Sequence, residues 1–169
     1  MIVGIISDTH DNLKNIDKAV RVLNENEVDL VLHCGDYIAP FVIKRLGKLN
    51  SKLIGVFGNN DGDKKLLLSI ANDLGFKIHN QPYEMKLSGR KVLLMHGLGN
   101  MEMTKTIVRA IARTNKYDVI VYGHTHQSEV LNLEKTLIVN PGEVFGMLYG
   151  KSTLALLDLE KLEAKIIEL

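Results

Sequence analysis

One cysteine, Cys34, stands alone among the 169 residues, so no internal disulfide can form. That excludes a disulfide-stapled secreted scaffold and a cysteine-rich zinc module. An excess of one charge sign is missing too: 21 Lys+Arg face 20 Asp+Glu, a formal net of +1. A domain that tracks a nucleic-acid backbone would carry a clear basic surplus, so extended nucleic acid is not the expected partner. No uncharged run comes near the ~20 apolar residues that span a bilayer. The opening stretch MIVGIISDTH lacks the basic region and apolar core of a signal peptide. These absences lead to the expectation of a cytoplasmic protein with no membrane partner. Linkers, low-complexity tracts and solenoid repeats are missing as well, so a single domain over 1–169 is expected. The 46% of hydrophobic residues suffices for a core that hides about 70% of the unfolded chain's surface at this size.

Short apolar runs recur at 2–6, 30–32, 53–57, 92–95 and 119–122. Runs that are apolar on both faces suit strands covered on both sides. Leu13, Ile16, Ala19, Val20 and Leu23 make a helical stripe, and Leu66, Leu67, Ile70, Ala71 and Leu74 make a second, closed by Gly75. With the first three runs they read as β-α-β-α-β. Residues 83–87 and 91–95 read as a hairpin turning at Ser88-Gly89-Arg90, and 101–114 as a further helix with Met103, Ile107, Ala110 and Ile111 on one side. Strands follow at 129–133, 136–140, 153–158 and 162–167, with Glu134-Lys135 and Glu160-Lys161 as turns. The expected class is α/β: a parallel-leaning first half and a meander-like second half, closed as two packed sheets flanked by helices.

Each of five runs ends in side chains that can bind metal. They are Ser7-Asp8-Thr9-His10, His33-Cys34-Gly35-Asp36, Gly58-Asn59-Asn60-Asp61, His96-Gly97 and Gly123-His124-Thr125-His126. In open α/β sheets the crevice beyond the strand carboxyl ends is where sites form, so distant segments can converge there. Asp8, Asp36, Asn59, His10, His96, His124 and His126 form a mixed nitrogen and oxygen set without thiolate. Such a set suits manganese, iron, nickel, cobalt or zinc rather than calcium. Seven donors exceed one tetrahedral ion and match two ions that share a carboxylate. The i, i+2 spacing of Asp8 with His10 and of His124 with His126 would put each pair on one side of an extended backbone.

Taken in order, Asp8-x-His10, Gly35-Asp36, Gly58-Asn59-x-Asp61, His96-Gly97 and Gly123-His124-x-His126 resemble the calcineurin-like metallophosphoesterase superfamily, in particular its small bacterial and archaeal phosphodiesterase branch. Asn140-Pro141-Gly142 resembles that branch's final loop. The resemblance implies a four-layer sandwich of two mixed β-sheets flanked by helices. It also implies a partition: Asp8, His10, Asp36 and His126 around one divalent ion, Asp36, Asn59, His96 and His124 around the other, with Asp36 as the bridge. Manganese comes first among the ions, then nickel, iron, cobalt or zinc.

The implied reaction is two-metal hydroxide attack on a small phosphodiester, with Asp36, Asn60 and His124 as the catalytic residues. Two divalent ions, two carboxylates and a hydroxide leave the inner site near +1, which matches a diester monoanion better than a monoester dianion. No Arg or Lys lies within the five blocks. Phosphomonoester or cyclic-nucleotide hydrolysis is the alternative within enzymes. A non-catalytic protein-binding scaffold of the retromer-subunit type is the alternative outside them. Many members of the superfamily carry His where this chain has Asn60, and an amide cannot deliver a proton to a leaving group near neutral pH.

Outside the donor set, His33 and His79 read as structural histidines and Cys34 as a small buried residue. Asp61 reads equally as an N-cap or as a residue that orients a neighbour. Met95, Met101, Met103 and Met147 read as core or loop packing. A homodimer through an exposed edge or the C-terminal hairpin is a further expectation.

Overall fold

The computed structural model describes all residues from Met1 to Leu169. The elements run β1 (Ile2–Ile6), α1 (Leu13–Glu25), β2 (Leu30–His33), α2 (Pro40–Leu46), β3 (Lys52–Val56), α3 (Lys64–Asp73), β4 (Lys77–His79), β5 (Tyr83–Leu87), β6 (Arg90–Leu94), α4 (Met101–Ala112), β7 (Val119–Val121), β8 (Glu129–Leu133), β9 (Thr136–Asn140), β10 (Thr153–Asp158) and β11 (Glu163–Glu168). Six strands form one mixed sheet in the order β11-β10-β1-β2-β3-β4, and five form a second in the order β5-β6-β7-β9-β8. None of the helices is long and apolar enough to cross a membrane.

Two-residue alternation along the central strands produces the layers. Val3, Ile5, Leu30, Leu32, Val92, Leu94, Val119, Val121 and Leu157 belong to one buried cluster between the sheets. Their neighbours Ile6 and Val31 turn the other way, into the cluster packed under α1, α2 and α3. Leu93, Ile120 and Ile138 do the same beneath α4. Helices, sheet, sheet and helix therefore stack as the four layers expected. The α1 stripe buries Ile16, Ala19, Val20 and Leu23, and Asn12 caps its start by accepting from the Asn15 amide at 3.3 Å. Asp63 caps α3 through the Leu66 amide at 3.2 Å.

Several expectations need correction. The helix between β2 and β3 is α2, which has seven residues and opens on Pro40. It is too short to display a helical period, while the stripe at 66–74 follows β3 rather than preceding it. The three-residue β4 escaped for the same reason of length. Arg90 pairs with Leu87, so the hairpin turn is Ser88-Gly89 alone.

The second half is not a meander. β9 lies parallel to β7, and β10 crosses to the other sheet to pair antiparallel with β1, Ile2 opposite Asp158. Strand patterning marks which residues are buried, not which strand is their neighbour.

Leu157 is fully buried between the sheets on β10. Leu157→Ala is expected to lower unfolding free energy by about 2–5 kcal/mol, the usual cost of a large-to-small change in a core. Urea titration measures it, and a change below ~1 kcal/mol would contradict the packing described.

Candidate metal centre

The parallel strands β1, β2 and β3 of one sheet and β6 and β7 of the other end at the same rim, and each continues into a donor-bearing turn. The donor pairs do not sit on extended backbone, as their spacing suggested. Asp8, His10, Asp36, His124 and His126 all have positive φ, at 49°, 42°, 62°, 66° and 59°. Left-handed backbone at non-glycine residues costs about 1–3 kcal/mol each and persists only where the surroundings enforce it.

Bonds between the turns enforce it here. The Asp8 amide donates to Gly35 O, the His10 amide to Asp36 O, the Gly123 amide to His96 O and the Phe145 amide to Asp8 O, all at 2.9–3.0 Å. Glycine makes this approach possible: a Cβ on Gly58 would lie 2.1 Å from Asp36 Oδ1, and one on Gly123 would lie 2.0 Å from Ser7 Oγ.

Hydrogen bonds fix which imidazole nitrogens face inward. A carbonyl oxygen only accepts, so His96 Nδ1 donates to Cys34 O at 2.8 Å and His124 Nε2 donates to Gly99 O at 2.7 Å. His126 Nδ1 donates to Glu143 Oε2 at 2.9 Å. The opposite nitrogens then present lone pairs. His96 Nε2 faces Asn59 Oδ1 at 2.8 Å, His124 Nδ1 at 3.2 Å and Asp36 Oδ1 at 3.6 Å. His126 Nε2 faces Asp8 Oδ1 at 3.4 Å, and His10 Nε2 lies 3.9 Å from Asp36 Oδ2. Asp8 Oδ1 and His10 Nε2 are buried with no hydrogen-bond partner. All seven residues read as ligands from the sequence are thus brought together.

Charge makes the same demand. Asp8, Asp36 and Glu143 are at most 1% exposed, and their ion-pair partners are histidines alone. Burial pushes His10 down from its ordinary pKa and His96 down to about 4, so both are neutral near pH 7 and compensate nothing. Burial pushes the Asp8 carboxyl well up, against the lowering effect of its hydrogen bond from Ser7. Converging imidazole nitrogens, buried polar atoms without partners and carboxylates with no lysine or arginine paired to them fit divalent cations.

Two groups have donor atoms mutually close enough to grip an ion: Asp8 with His10 and His126, and Asp8 with Asp36 and His96. Asp8 is common to both, whereas the family resemblance gives the shared role to Asp36. The oxygens of Asp36 nonetheless point to opposite sides, Oδ1 toward His96 and Oδ2 toward His10. Asp8 Oδ2 accepts from Ser7 Oγ and the His124 amide, and both Asp36 oxygens accept from Asn60, so Asp8 Oδ1 alone among the four oxygens has no hydrogen-bond partner.

Asn60 donates to Asp36 twice, from its backbone at 2.9 Å and from Nδ2 at 2.7 Å. Asp61 is an orienting residue: it accepts from the amides of Asp36, Tyr37, Ile38 and Gly58, while the N-cap of α3 is Asp63. His33 is satisfied inside, between Thr9 Oγ1 and the Gly35 amide. His79 stacks on Tyr83, but its Nε2 has no partner. Cys34 and Met95 are buried, whereas Met103 and Met147 are exposed.

Sequence reading missed Gln81 and Glu143 and placed Asn140 in the final loop without a role. Gln81 Oε1 accepts the His96 and Gly97 amides. Asn140 Nδ2 donates to Gly123 O and Thr125 Oγ1 beneath the last donor turn. Glu143 holds His126. The Asn140-Pro141-Gly142 segment was a signal for the last two; nothing local marks Gln81.

The model of the calcineurin-like phosphoesterase superfamily domain matches residues 1–162. Phosphodiesterase MJ0936 of Methanocaldococcus jannaschii is 36% identical over 100% of this chain and 99% of its own. The solved structure of a novel archaeal phosphodiesterase superposes with a TM-score of 0.92 at 36% identity, covering 100% of both chains. Entamoeba histolytica Vps29 complexed with zinc superposes at 0.72 with 23% identity, over 99% of this chain and 91% of that one, a likeness of fold alone.

A carboxylate whose pKa is raised by folding costs stability above that pKa, and the cost vanishes below the unfolded value. In chelator-treated protein at pH 7, Asp8→Asn is therefore expected to raise stability by about 0.5–2 kcal/mol, the usual gain when a functional strain is relaxed. The gain should shrink as pH falls toward 4. Urea midpoints at the two pH values measure it, and an equal or opposite difference at both would contradict the charge account.

Proposed function

The chain belongs to the calcineurin-like phosphoesterase superfamily, and from that premise we propose that it hydrolyses small phosphodiesters using two divalent cations. Asp8, His10, Asp36 and His126 would hold one ion and Asp36, Asn59, His96 and His124 the other. The single observation that carries this reading is the convergence of inward lone pairs from all seven residues around buried carboxylates that no lysine or arginine neutralises. When bound, two such ions supply a water acidified enough to attack near neutral pH and a positive field for the phosphoryl oxygens. Manganese is placed first; nickel, iron, cobalt and zinc suit the same nitrogen and oxygen donors.

The chain's own residues do the rest by position. Asp36 splits its two oxygens between the donor groups, and Asn60 locks that carboxylate in place from backbone and side chain. The amide of Asn60 can donate a hydrogen bond to a phosphoryl oxygen, but it has no proton to give a departing alkoxide. His124, anchored through Gly99, is only half-buried and stands on the solvent side of His96. No arginine or lysine lies within the five donor blocks, and on that ground a phosphate monoanion suits the site better than a dianion. Phosphomonoester and cyclic-nucleotide hydrolysis are thereby ranked lower. A non-catalytic scaffold is disfavoured because the complete donor set has been kept. One unpaired, buried cysteine agrees with a cytoplasmic location.

Chelator-stripped protein reloaded with Mn²⁺ is expected to hydrolyse an aryl diester faster than the matching monoester or a cyclic nucleotide. Asp36→Asn should take up neither ion. Elemental analysis beside the substrate panel reads both, and activity unchanged by chelation would refute the proposal.

Rates should fall steeply as the leaving-group pKa rises. Asn60→His should flatten that dependence, recovering up to about 10²-fold on poor leaving groups, the lower end of general-acid contributions. A flat wild-type plot would show that the missing proton donor is unimportant.

A further inference from the structure

Among the inward-facing histidines, His96 and His124 donate outward to neutral backbone carbonyls, while His126 donates to a carboxylate. That carboxylate, Glu143, is fully buried and holds more than the ring. Its Oε1 accepts the amides of Leu148 at 3.0 Å and Tyr149 at 2.8 Å, while Oε2 takes His126 Nδ1. The segment it grips borders the centre. Phe145 packs on the His10 ring at 4.8 Å, its carbonyl accepts from Asn12 and Asn15, and Met147, Leu148 and Tyr149 are exposed apolar side chains. Tyr149 Oη reaches Met101 Sδ at 3.9 Å, so the segment also meets the start of α4.

We propose that Glu143 is a positioning residue that sets the tautomer of His126 and ties occupation of the Asp8, His10 and His126 group to the order of the 145–149 segment. The proposal rests on the two-cation reading for its metal half. Its logic is one of hydrogen-bond direction. Three donors, one ring N–H and two backbone N–H groups, point at one buried carboxylate, and only a group that accepts through both oxygens satisfies all three. Glutamine has nearly the same shape but one accepting end. If its oxygen serves the two amides, its NH₂ faces His126 Nδ1, and the ring must move its proton to Nε2, where it blocks the ligand position. If its oxygen serves His126, its NH₂ faces two donors. Either way the isosteric change disrupts what the carboxylate joins. Orienting partners of metal-binding histidines carry about 10–100-fold in metal affinity.

The test compares wild type with Glu143→Gln in the full chain. Ring nitrogen chemical shifts by NMR on the metal-free proteins should give Nδ1–H at His126 in the wild type and Nε2–H in the variant. Mn²⁺ titration should find two ions in the wild type; in the variant, one should bind about 10–100-fold more weakly and the other as before. Hydrogen exchange at the Leu148 and Tyr149 amides should slow on Mn²⁺ addition in the wild type and not in the variant. Metal-free urea unfolding checks that the variant is folded. If it is not, the wild-type tautomer still decides, because Nε2–H at His126 overturns the proposal. Two unaltered Mn²⁺ affinities in folded Glu143→Gln overturn it as well. Wild-type protein that takes up no Mn²⁺ while showing Nδ1–H would overturn the two-cation reading, and the metal half of this proposal with it.

Discussion

Buried negative charge without a basic partner is the constraint around which the structure is organised. Asp8, Asp36 and Glu143 lie out of water, and Asp61 nearly so. The lysines and arginines form their ion pairs elsewhere, as Arg45 with Asp17 or Arg109 with Glu129. An isolated carboxylate in a low-dielectric interior is costly unless it is paired or coordinates a metal. Asp61 is satisfied by four backbone amides and Glu143 by two amides and a ring N–H. Asp8 and Asp36 accept from Ser7, the His124 amide and Asn60 but have only histidines, and no lysine or arginine, as ion-pair partners, and Asp8 Oδ1 has no hydrogen-bond partner. Their deficit is local and directional, which makes a destabilising burial a candidate cation site.

Holding that deficit in place requires backbone that the chain would not otherwise adopt. Five of the seven donor residues have positive φ, and none is glycine. Their strain is opposed by two sheets whose parallel strands end at one rim and by the bonds that lace one donor turn to the next. The inter-sheet core makes those strand ends rigid relative to one another. Local strain of this kind is what a site gives up in stability for preorganised ligands. Orientation is then completed by residues one step further out: Cys34 and Gly99 through their carbonyls, Glu143 through its side chain, and Gln81 and Asn140 by pinning the turns themselves.

Much of this was legible along the chain. The runs at 2–6 and 119–122 declare buried strands because both faces are apolar, and α1 declares itself through an unbroken stripe of which all but the half-buried Leu13 is buried. The donor set was legible because Asp, Asn and His recur directly after strands, where a sheet's carboxyl ends gather. What escaped was short or reciprocal. Seven residues of α2 hold too few turns to reveal a period. Gln81 looks like any loop amide until His96 and Gly97 are seen to donate to it. The i, i+2 spacing suggested extended backbone, and only the cross-turn bonds reveal that each pair curls through left-handed φ instead.

The division between the two levels follows from range. Residue types and their periodicity are local properties. By themselves they determined the α/β class, the buried strands and the seven candidate donors, and they left the five donor blocks free of Arg and Lys. Which strand neighbours which, which histidine nitrogen faces inward, that Asp36 splits its oxygens between two groups while Asp8 stands near both, and that Glu143 grips His126 from 17 positions away depend on the meeting of segments far apart in the chain. Those facts were decided by the tertiary structure, because hydrogen-bond direction and charge compensation are set by whatever atom arrives opposite, and no single stretch of sequence contains both partners.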